Sequence, residues 1–368
     1  MDQTRGMFLS FAGVLLGFGI LMVHSASITS WPTTFEQVYL SRHVSFLAVG
    51  LLVGATAAFM PGRFWFRLAP FLFMICVCLL VLVLIPGVGT KVNGAQRWLR
   101  VGSYSFQPSE LAKISLPLFL CYLMRNRREN LHHWFRGTVP LVVPIAIMIP
   151  LVMLQPDLGT SIFLVAIGGM ALFLSGWPIR NFVLAVVCVV PALVSLVAMK
   201  PYQMRRITGF LAAWSDFDQA PYQLKQSLVT LGAGGVSGVG LGRGWQKLSF
   251  LPEANTDFVF AVVGEELGLV GTMSLIALWM AIYISGLKVL AHLNKRSFAY
   301  VVSFTLLTQI VLQAALNVAV VTGMVPPKGI SHPFVSYGGS NLVVTLLALG
   351  IILSLSRSCA EDDQIVLG

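Results

Sequence analysis

Phe258 to Ala291 reads FVFAVVGEELGLVGTMSLIALWMAIYISGLKVLA, 34 residues with only three charges, Glu265, Glu266 and Lys288. As one helix it would run about 51 Å, against a bilayer core of ~30 Å. The run therefore predicts a break near Gly264, with a short apolar helix over 258–263 at the outer surface, Thr256 and Asp257 at its start, and a membrane span beyond it. Outward from this stretch, further apolar runs lie near 7–23, 44–60, 68–86, 110–124, 139–154, 158–174, 181–199, 298–321 and 340–356, and the span inside the long run itself covers 266–288. The expected fold is an all-α polytopic membrane protein of about ten transmembrane helices, with a large outer loop, 200–265, between helices 7 and 8.

Composition agrees. Of 368 residues, 57% are hydrophobic and 10% are charged, where a soluble domain carries roughly 25%, and the mean hydropathy is +0.83. Too few polar residues remain to cover a soluble surface, which excludes a soluble enzyme, a disordered chain and a disulfide scaffold. The chain 1–368 reads as a single membrane domain. Its first apolar run leads into Ser25-Ala26-Ser27 as a signal peptide would, but nine further spans favour an uncleaved anchor. Cys76, Cys78, Cys121, Cys188 and Cys359 show no metal-ligand spacing.

The net charge of +10 follows membrane topology rather than nucleic acid. With the N-terminus inside, the short inner segments hold twelve Lys and Arg residues, and the short outer loops hold five: Arg42, Lys91, Arg97, Arg100 and Lys328. The bias of basic residues toward the cytoplasm predicts that both ends are cytoplasmic. Segments 87–109, 200–265 and 322–339 then lie outside. The middle one carries Gly232, Gly234, Gly235, Gly238, Gly240, Gly242 and Gly244, read as a tight loop or as backbone that approaches a ligand closely; it fits neither a dinucleotide fingerprint nor a P-loop.

Six of the fourteen acidic residues fall at or near membrane depth: Glu110, Asp157, Glu253, Asp257, Glu265 and Glu266. Acids placed there are costly and suggest function. Glu110 and Lys113, three apart, share a helix face, as a neutralising pair or as a charged wall in which Lys113, with Arg97 and Arg100, faces phosphate. Asp157 stands at a helix start, as a cap or a site residue; Glu265 and Glu266 carry the same ambiguity. Asp257, held among Phe258, Val259 and Phe260, is either a cap or a partly desolvated general base.

In these runs the chain resembles the SEDS family (shape, elongation, division and sporulation) of polytopic peptidoglycan glycosyltransferases. The matching runs are Val92-Asn93-Gly94-Ala95-Gln96-Arg97-Trp98-Leu99, Gln107-Pro108-Ser109-Glu110-Leu111-Ala112-Lys113 and Pro156-Asp157-Leu158-Gly159-Thr160. They continue with Leu251-Pro252-Glu253-Ala254-Asn255-Thr256-Asp257-Phe258, Gly264-Glu265-Glu266-Leu267-Gly268 and Pro333-Phe334-Val335-Ser336-Tyr337-Gly338-Gly339-Ser340. Val92-Asn93-Gly94 and Pro327-Lys328-Gly329-Ile330 are similar to the cell-division, FtsW-like branch. Asn255 and Asn341 depart from the family's usual His and Ser.

The resemblance implies polymerisation of lipid II into glycan strands at the outer face of the cytoplasmic (inner) membrane, in septal wall synthesis. It implies Asp257 as the catalytic base of an inverting transfer. It also implies substrate contacts at Arg97, Glu110, Lys113, Asp157, Glu253, Glu265, Ser336, Gly338 and Gly339. Expected partners are lipid II and undecaprenyl-pyrophosphate-linked glycan, a class B penicillin-binding protein, other divisome proteins and membrane lipid, with no nucleic acid. No resident cofactor or metal site is expected; a divalent cation, Mg or Mn, would accompany the pyrophosphate. The alternatives are a lipid-linked precursor flippase, whose charges should line a route through the bilayer, and a non-catalytic division scaffold, which needs none of the six acids.

Overall fold

A backbone crossing hydrocarbon must satisfy its polar groups within itself, so the apolar runs become helices. The computed structural model describes residues 2–27, 34–92, 94–102, 104–131, 133–198, 201–248 and 250–357; Asn93, Cys359, Glu361, Asp362 and Asp363 lie outside them. The helices are α1 (Asp2–Ala26), α2 (Thr34–Phe59), α3 (Gly62–Leu84), α4 (Pro108–Arg127), α5 (Val139–Leu154), α6 (Leu158–Leu174), α7 (Ile179–Ala198), α8 (Pro201–Ala212), α9 (Tyr222–Gly234), α10 (Val259–Leu290), α11 (Phe298–Val321) and α12 (Gly339–Leu355). Among the described residues, six of these, α1, α2, α3, α5 with its preceding turn, α10 and α11, are long and apolar enough to cross a membrane. With α4, α6, α7 and α12 they make the ten expected spans, and α8 and α9 belong to the segment between α7 and α10.

The chain forms two units: 1–47, 187–286 and 310–338 make the first, and 48–186, 287–309 and 339–368 the second. In the second, α3 and α6 both pack on α4. Its core is apolar and aromatic, with Leu116, Leu118 and Leu120 fully buried and Phe73 stacked on Phe119 at 4.3 Å between centroids. Near the end of α12, Trp65 Nε1 donates to Ser354 Oγ at 2.9 Å. Segment 87–109, expected only as a polar stretch, holds a three-stranded antiparallel sheet, β1 (Gly89–Val92), β2 (Ala95–Val101) and β3 (Tyr104–Phe106), in that order. The sheet sets Arg97 on its central strand and packs on α3 and α4.

In the first unit the long run does break, but at Gly268 (φ 65, ψ −160), four residues beyond the expected Gly264. Gly264 is helical: a Cβ there would run into the Leu231 side chain, and Gly234 packs on its carbonyl, so this glycine serves close approach instead. Gly268 adopts a backbone conformation open essentially to glycine alone. At the break the glycine-rich segment meets two carbonyls and two N–H groups of α10. Val239 N and Gly240 N donate to the carbonyls of Glu265 and Glu266, both at 3.0 Å, while Leu269 N and Val270 N donate to the carbonyls of Gly235 and Val236 at 2.9 and 3.2 Å. The tight-loop reading of those glycines is the structural one: they splice a second strand of backbone into a broken helix.

A side chain at 268 would meet Gly238 N and Val236 O. Gly268→Ala is therefore expected to cost about 1–3 kcal/mol in backbone strain alone, read as a lowered melting temperature in detergent. Gly13→Ala, where nothing lies within 4 Å, is the control and should melt like the wild type. Equal melting of both variants would contradict this account of the break.

Candidate functional site

Asp257 stands in the first unit, in the turn that enters α10. The Glu253 carbonyl accepts from Thr256 N, Asp257 N and Phe258 N at 3.1, 3.1 and 3.2 Å, with Glu253 itself at φ 55. α10 begins at Val259, and the Phe258 carbonyl takes its first N–H groups, from Ala261 and Val262. The cap position thus falls on Phe258, with Asp257 one residue outside it. The Asp257 side chain is half-buried and lies against Gly329: a Cβ on Gly329 would stand 2.8 Å from Asp257 Oδ2. Glycine is what lets this backbone approach the carboxylate.

Behind the turn runs a buried polar chain that the sequence reading missed. Asn317 Nδ2 on α11 donates to the carbonyls of Asp257 and Ile330 at 2.7 and 2.6 Å. Asn317 Oδ1 lies 3.0 Å from His332 Nδ1, and Trp279 Nε1 on α10 donates to His332 Nε2 at 2.8 Å. An indole N–H can only donate, so Nε2 accepts and the His332 proton sits on Nδ1, which donates to Asn317. Burial pushes the His332 imidazole down from 6.5 to about 3, so it stays neutral. Gln313, four residues before Asn317, donates to Ser331 O at 3.0 Å. That spacing of amides on an apolar helix was the available signal. Ser336 Oγ accepts from His332 N at 2.8 Å, and Tyr337 N donates to Asn255 O at 2.8 Å; Ser336 thus closes the turn that meets the Asp257 loop, and Gly338 follows in the same segment.

Glu265 and Glu266 lie inside α10 before the break. Glu265 Oε1 accepts from Trp245 N and Gln246 N at 2.8 and 3.1 Å. Glu266 pairs with Lys247, a cation that the count of short loops passed over. Glu253 is exposed, and its Oε2 accepts from Thr256 Oγ1 at 2.8 Å.

The other cluster is in the second unit. Lys113 Nζ donates to Glu110 Oε1 at 2.7 Å and lies 5.5 Å from the Phe163 ring centre. Asn341 Nδ2, at the start of α12, donates to Glu110 Oε2 at 2.9 Å. The departure from the family pattern at Asn341 thus supplies a hydrogen bond to the pair. Asp157 caps α6, accepting from Thr160 N at 3.1 Å, and stands 3.6 Å from Arg97 Nη1. Arg97 also donates to the carbonyls of Gln155 and Pro156, and 29% of its side chain stays exposed. Gly339 opens α12.

The six acids therefore sort by access. Glu110, Asp157, Glu265 and Glu266 are buried, at 7, 7, 2 and 0% exposure; Glu253 and Asp257 reach solvent. Among the described residues no three His, Cys, Asp or Glu side chains gather as a metal-binding group.

The family of FtsW, RodA and SpoVE, described as cell cycle protein, matches residues 6–361. A probable peptidoglycan glycosyltransferase FtsW of Geobacter metallireducens is 38% identical over 352 residues, 95% of this chain and 94% of that one. The corresponding Legionella pneumophila protein is 37% identical over 348 residues, 93% and 88% of the two chains. Among solved structures, one chain from work on "structural coordination of polymerization and crosslinking by a peptidoglycan synthase complex" has a TM-score of 0.77 at 27% identity, covering 95% of this chain and 96% of its own. The rod shape determining protein RodA of Thermus thermophilus has a TM-score of 0.69 at 25% identity, covering 95% of each chain.

A neutral buried His332 makes a pH prediction. The unfolded chain takes up a proton near pH 6.5 and the folded chain only near 3; the stability this residue contributes is whole above about pH 6.5 and is lost as pH falls toward 3. Melting temperature in detergent should decline from about pH 7 to about pH 4, and His332→Gln should flatten that decline while lowering its starting point. The same slope in both proteins would show that His332 is not the titrating group.

Proposed function

The chain belongs to the FtsW, RodA and SpoVE family of cell cycle proteins, and from that premise we propose the chemistry of its site. It is a multi-pass membrane enzyme, a peptidoglycan glycosyltransferase of the FtsW kind. It joins lipid-linked disaccharide-pentapeptide units into glycan strands, in septal wall synthesis. Asp257 accepts the proton of the acceptor sugar's 4-hydroxyl as that oxygen attacks the donor's anomeric carbon. The new carbon–oxygen bond forms as the bond to phosphate breaks, undecaprenyl pyrophosphate leaves as the anion, and the α-linked donor becomes a β-linked product.

One observation carries this assignment: Asp257 is a half-buried acid whose carboxylate packs on Gly329 and whose backbone is pinned by Asn317. Partial desolvation suits a base, and a pinned backbone keeps it in place. Glu253, the other of the six acids that reaches solvent, accepts from Thr256 Oγ1 at 2.8 Å within the turn that carries Asp257. Arg97 is a partly exposed cation of the second unit, and with Lys113 on α4 it stabilises the diphosphate charge. A divalent cation, Mg or Mn, arriving with the diphosphate would be held by phosphate and water oxygens. The working partners are a class B penicillin-binding protein, which supplies cross-linking, and other division proteins.

The orientation that fits places both termini in the cytoplasm, the membrane being the cytoplasmic (inner) one, and 200–265 outside. Gln219 is exposed on the turn after α8, so Gln219→Cys should react with an impermeant thiol reagent on whole cells. Reaction only after the cells are broken would invert the topology.

Asp257→Asn decides the base. Asn keeps the size and the backbone hydrogen bonds, so folding and partner binding should persist while lipid II polymerisation, measured with the penicillin-binding protein present, falls by roughly 10²- to 10⁴-fold. Wild-type synthesis by the Asn variant would remove Asp257 from the reaction.

A further inference from the structure

Outside the reacting groups, the first unit holds an ion pair with no exposure at all. Lys247 Nζ lies 2.5 Å from Glu266 Oε1, and both side chains are 0% exposed. The ammonium also donates to Ser25 O at 2.9 Å and Ser25 Oγ at 3.0 Å, so its three protons have three acceptors. Ser25 Oγ in turn donates to the Glu266 carboxylate, 2.7 and 2.6 Å from its two oxygens. One helix end, one loop residue and one interior residue of α10 thus meet in a closed polar knot. Charges this deep are costly to bury and hold only with such full pairing.

The position of the knot along the chain gives it a purpose. Lys247 is ten residues before Asp257, and Glu266 is nine after it. The pair closes a ring whose far point is the catalytic carboxylate. Glu265 closes the same ring a second time through the N–H groups of Trp245 and Gln246. From Glu266 back to Asp257 the ring runs through the first turns of α10, where Val259, Ala261, Val262 and Val263 are fully buried. From Lys247 forward it runs through a short helical turn at 246–248 to the Glu253 turn. The closure holds the start of the segment ahead of Asp257, and Tyr337 N, which donates to Asn255 O, and Asn317, which donates to Asp257 O, hold its end.

We propose that Lys247, Glu266 and Ser25 are positioning residues that fix Asp257 where the acceptor hydroxyl must be deprotonated, an inference that rests on Asp257 being the base. A base displaced by about 1 Å can lose on the order of 10²-fold in rate, and the loss falls on turnover rather than on substrate binding.

A merely structural ion pair would also matter for folding, so the experiment separates the two. Lys247→Met or Glu266→Gln alone strands a polar or charged partner and should destabilise. Lys247→Met with Glu266→Gln removes both charges, and such paired replacements commonly restore stability. The double variant should melt near the wild type, yet polymerise lipid II with kcat down about 10- to 100-fold and KM for lipid II within about twofold. On an Asp257→Asn background the double change should lower the residual rate no further, because both act through one group. Ser25→Ala, which keeps the ion pair and removes one hydroxyl, is the second variant should the double one not fold. It should lower kcat about threefold with KM unchanged, and again have no effect once Asp257 is Asn. Wild-type kcat in the folded double variant, or in Ser25→Ala if that is the variant tested, overturns the proposal, as does an undiminished loss on the Asp257→Asn background. Wild-type kcat in Asp257→Asn alone is a different failure, since it removes the base itself.

Discussion

A helix broken at membrane depth must have its freed backbone groups met by protein, because lipid offers no hydrogen bonds. α10 is broken at Gly268, and four backbone groups beside the break pair with residues 235, 236, 239 and 240. Much of the site follows from that splice. It draws the glycine-rich segment against α10, which brings residues 244–247 within reach of Glu265 and Glu266. It also separates a short leading helix from the span that follows it, and the turn entering that leading helix carries Asp257. Glycine is needed on both sides, since Gly238 packs against the Glu266 carbonyl and Gly268 against Gly238.

The second support is a line of buried polar groups. Trp279 fixes the tautomer of His332, His332 orients the Asn317 amide, and that amide holds the carbonyls of Asp257 and Ile330 together. Each donor has one acceptor available, so the network has a single arrangement, and a fully satisfied network is rigid where a half-satisfied one is costly. Gly329 then presents backbone rather than side chain to the carboxylate. The loop is held from below by neutral hydrogen bonds and at its base by an ion pair, two supports with different chemistry.

How much of this was legible depended on range along the chain. The spans were, because hydrocarbon selects apolar runs: α6 and α11 match their expected limits of 158–174 and 298–321 to the residue. The break in α10 was legible as a length problem, yet Gly264 and Gly268 look alike in sequence and only packing distinguishes them. The sheet at 89–106 was not legible, since β2 (AQRWLRV) is short and its burial does not alternate clearly. Asp257 stood out as an acid among apolar neighbours. Lys247 did not, because a lysine in a long loop is ordinarily solvated, and nothing local says that Ser25, 222 residues away, will accept from it.

Inverting transfer asks for one accessible base and cations at the leaving group, and not for the second carboxylate that a retaining glycosidase uses as nucleophile. Among the six acids near membrane depth, access rather than number separates the proposed base from the rest. Four are buried and committed: Glu110 to Lys113 and Asn341, Asp157 to the start of α6, Glu265 to two backbone N–H groups, and Glu266 to Lys247 and Ser25. Each would be an expensive place for a free charge, and each joins elements through its bonds, Glu265 through Oε1 alone. Glu253 reaches solvent but spends its carboxylate on Thr256, within the turn that aims Asp257. The same chemistry that makes an acid costly near a membrane thus makes the buried acids fasten the backbone through their partners, and Asp257, half-buried, sits on a backbone so fastened.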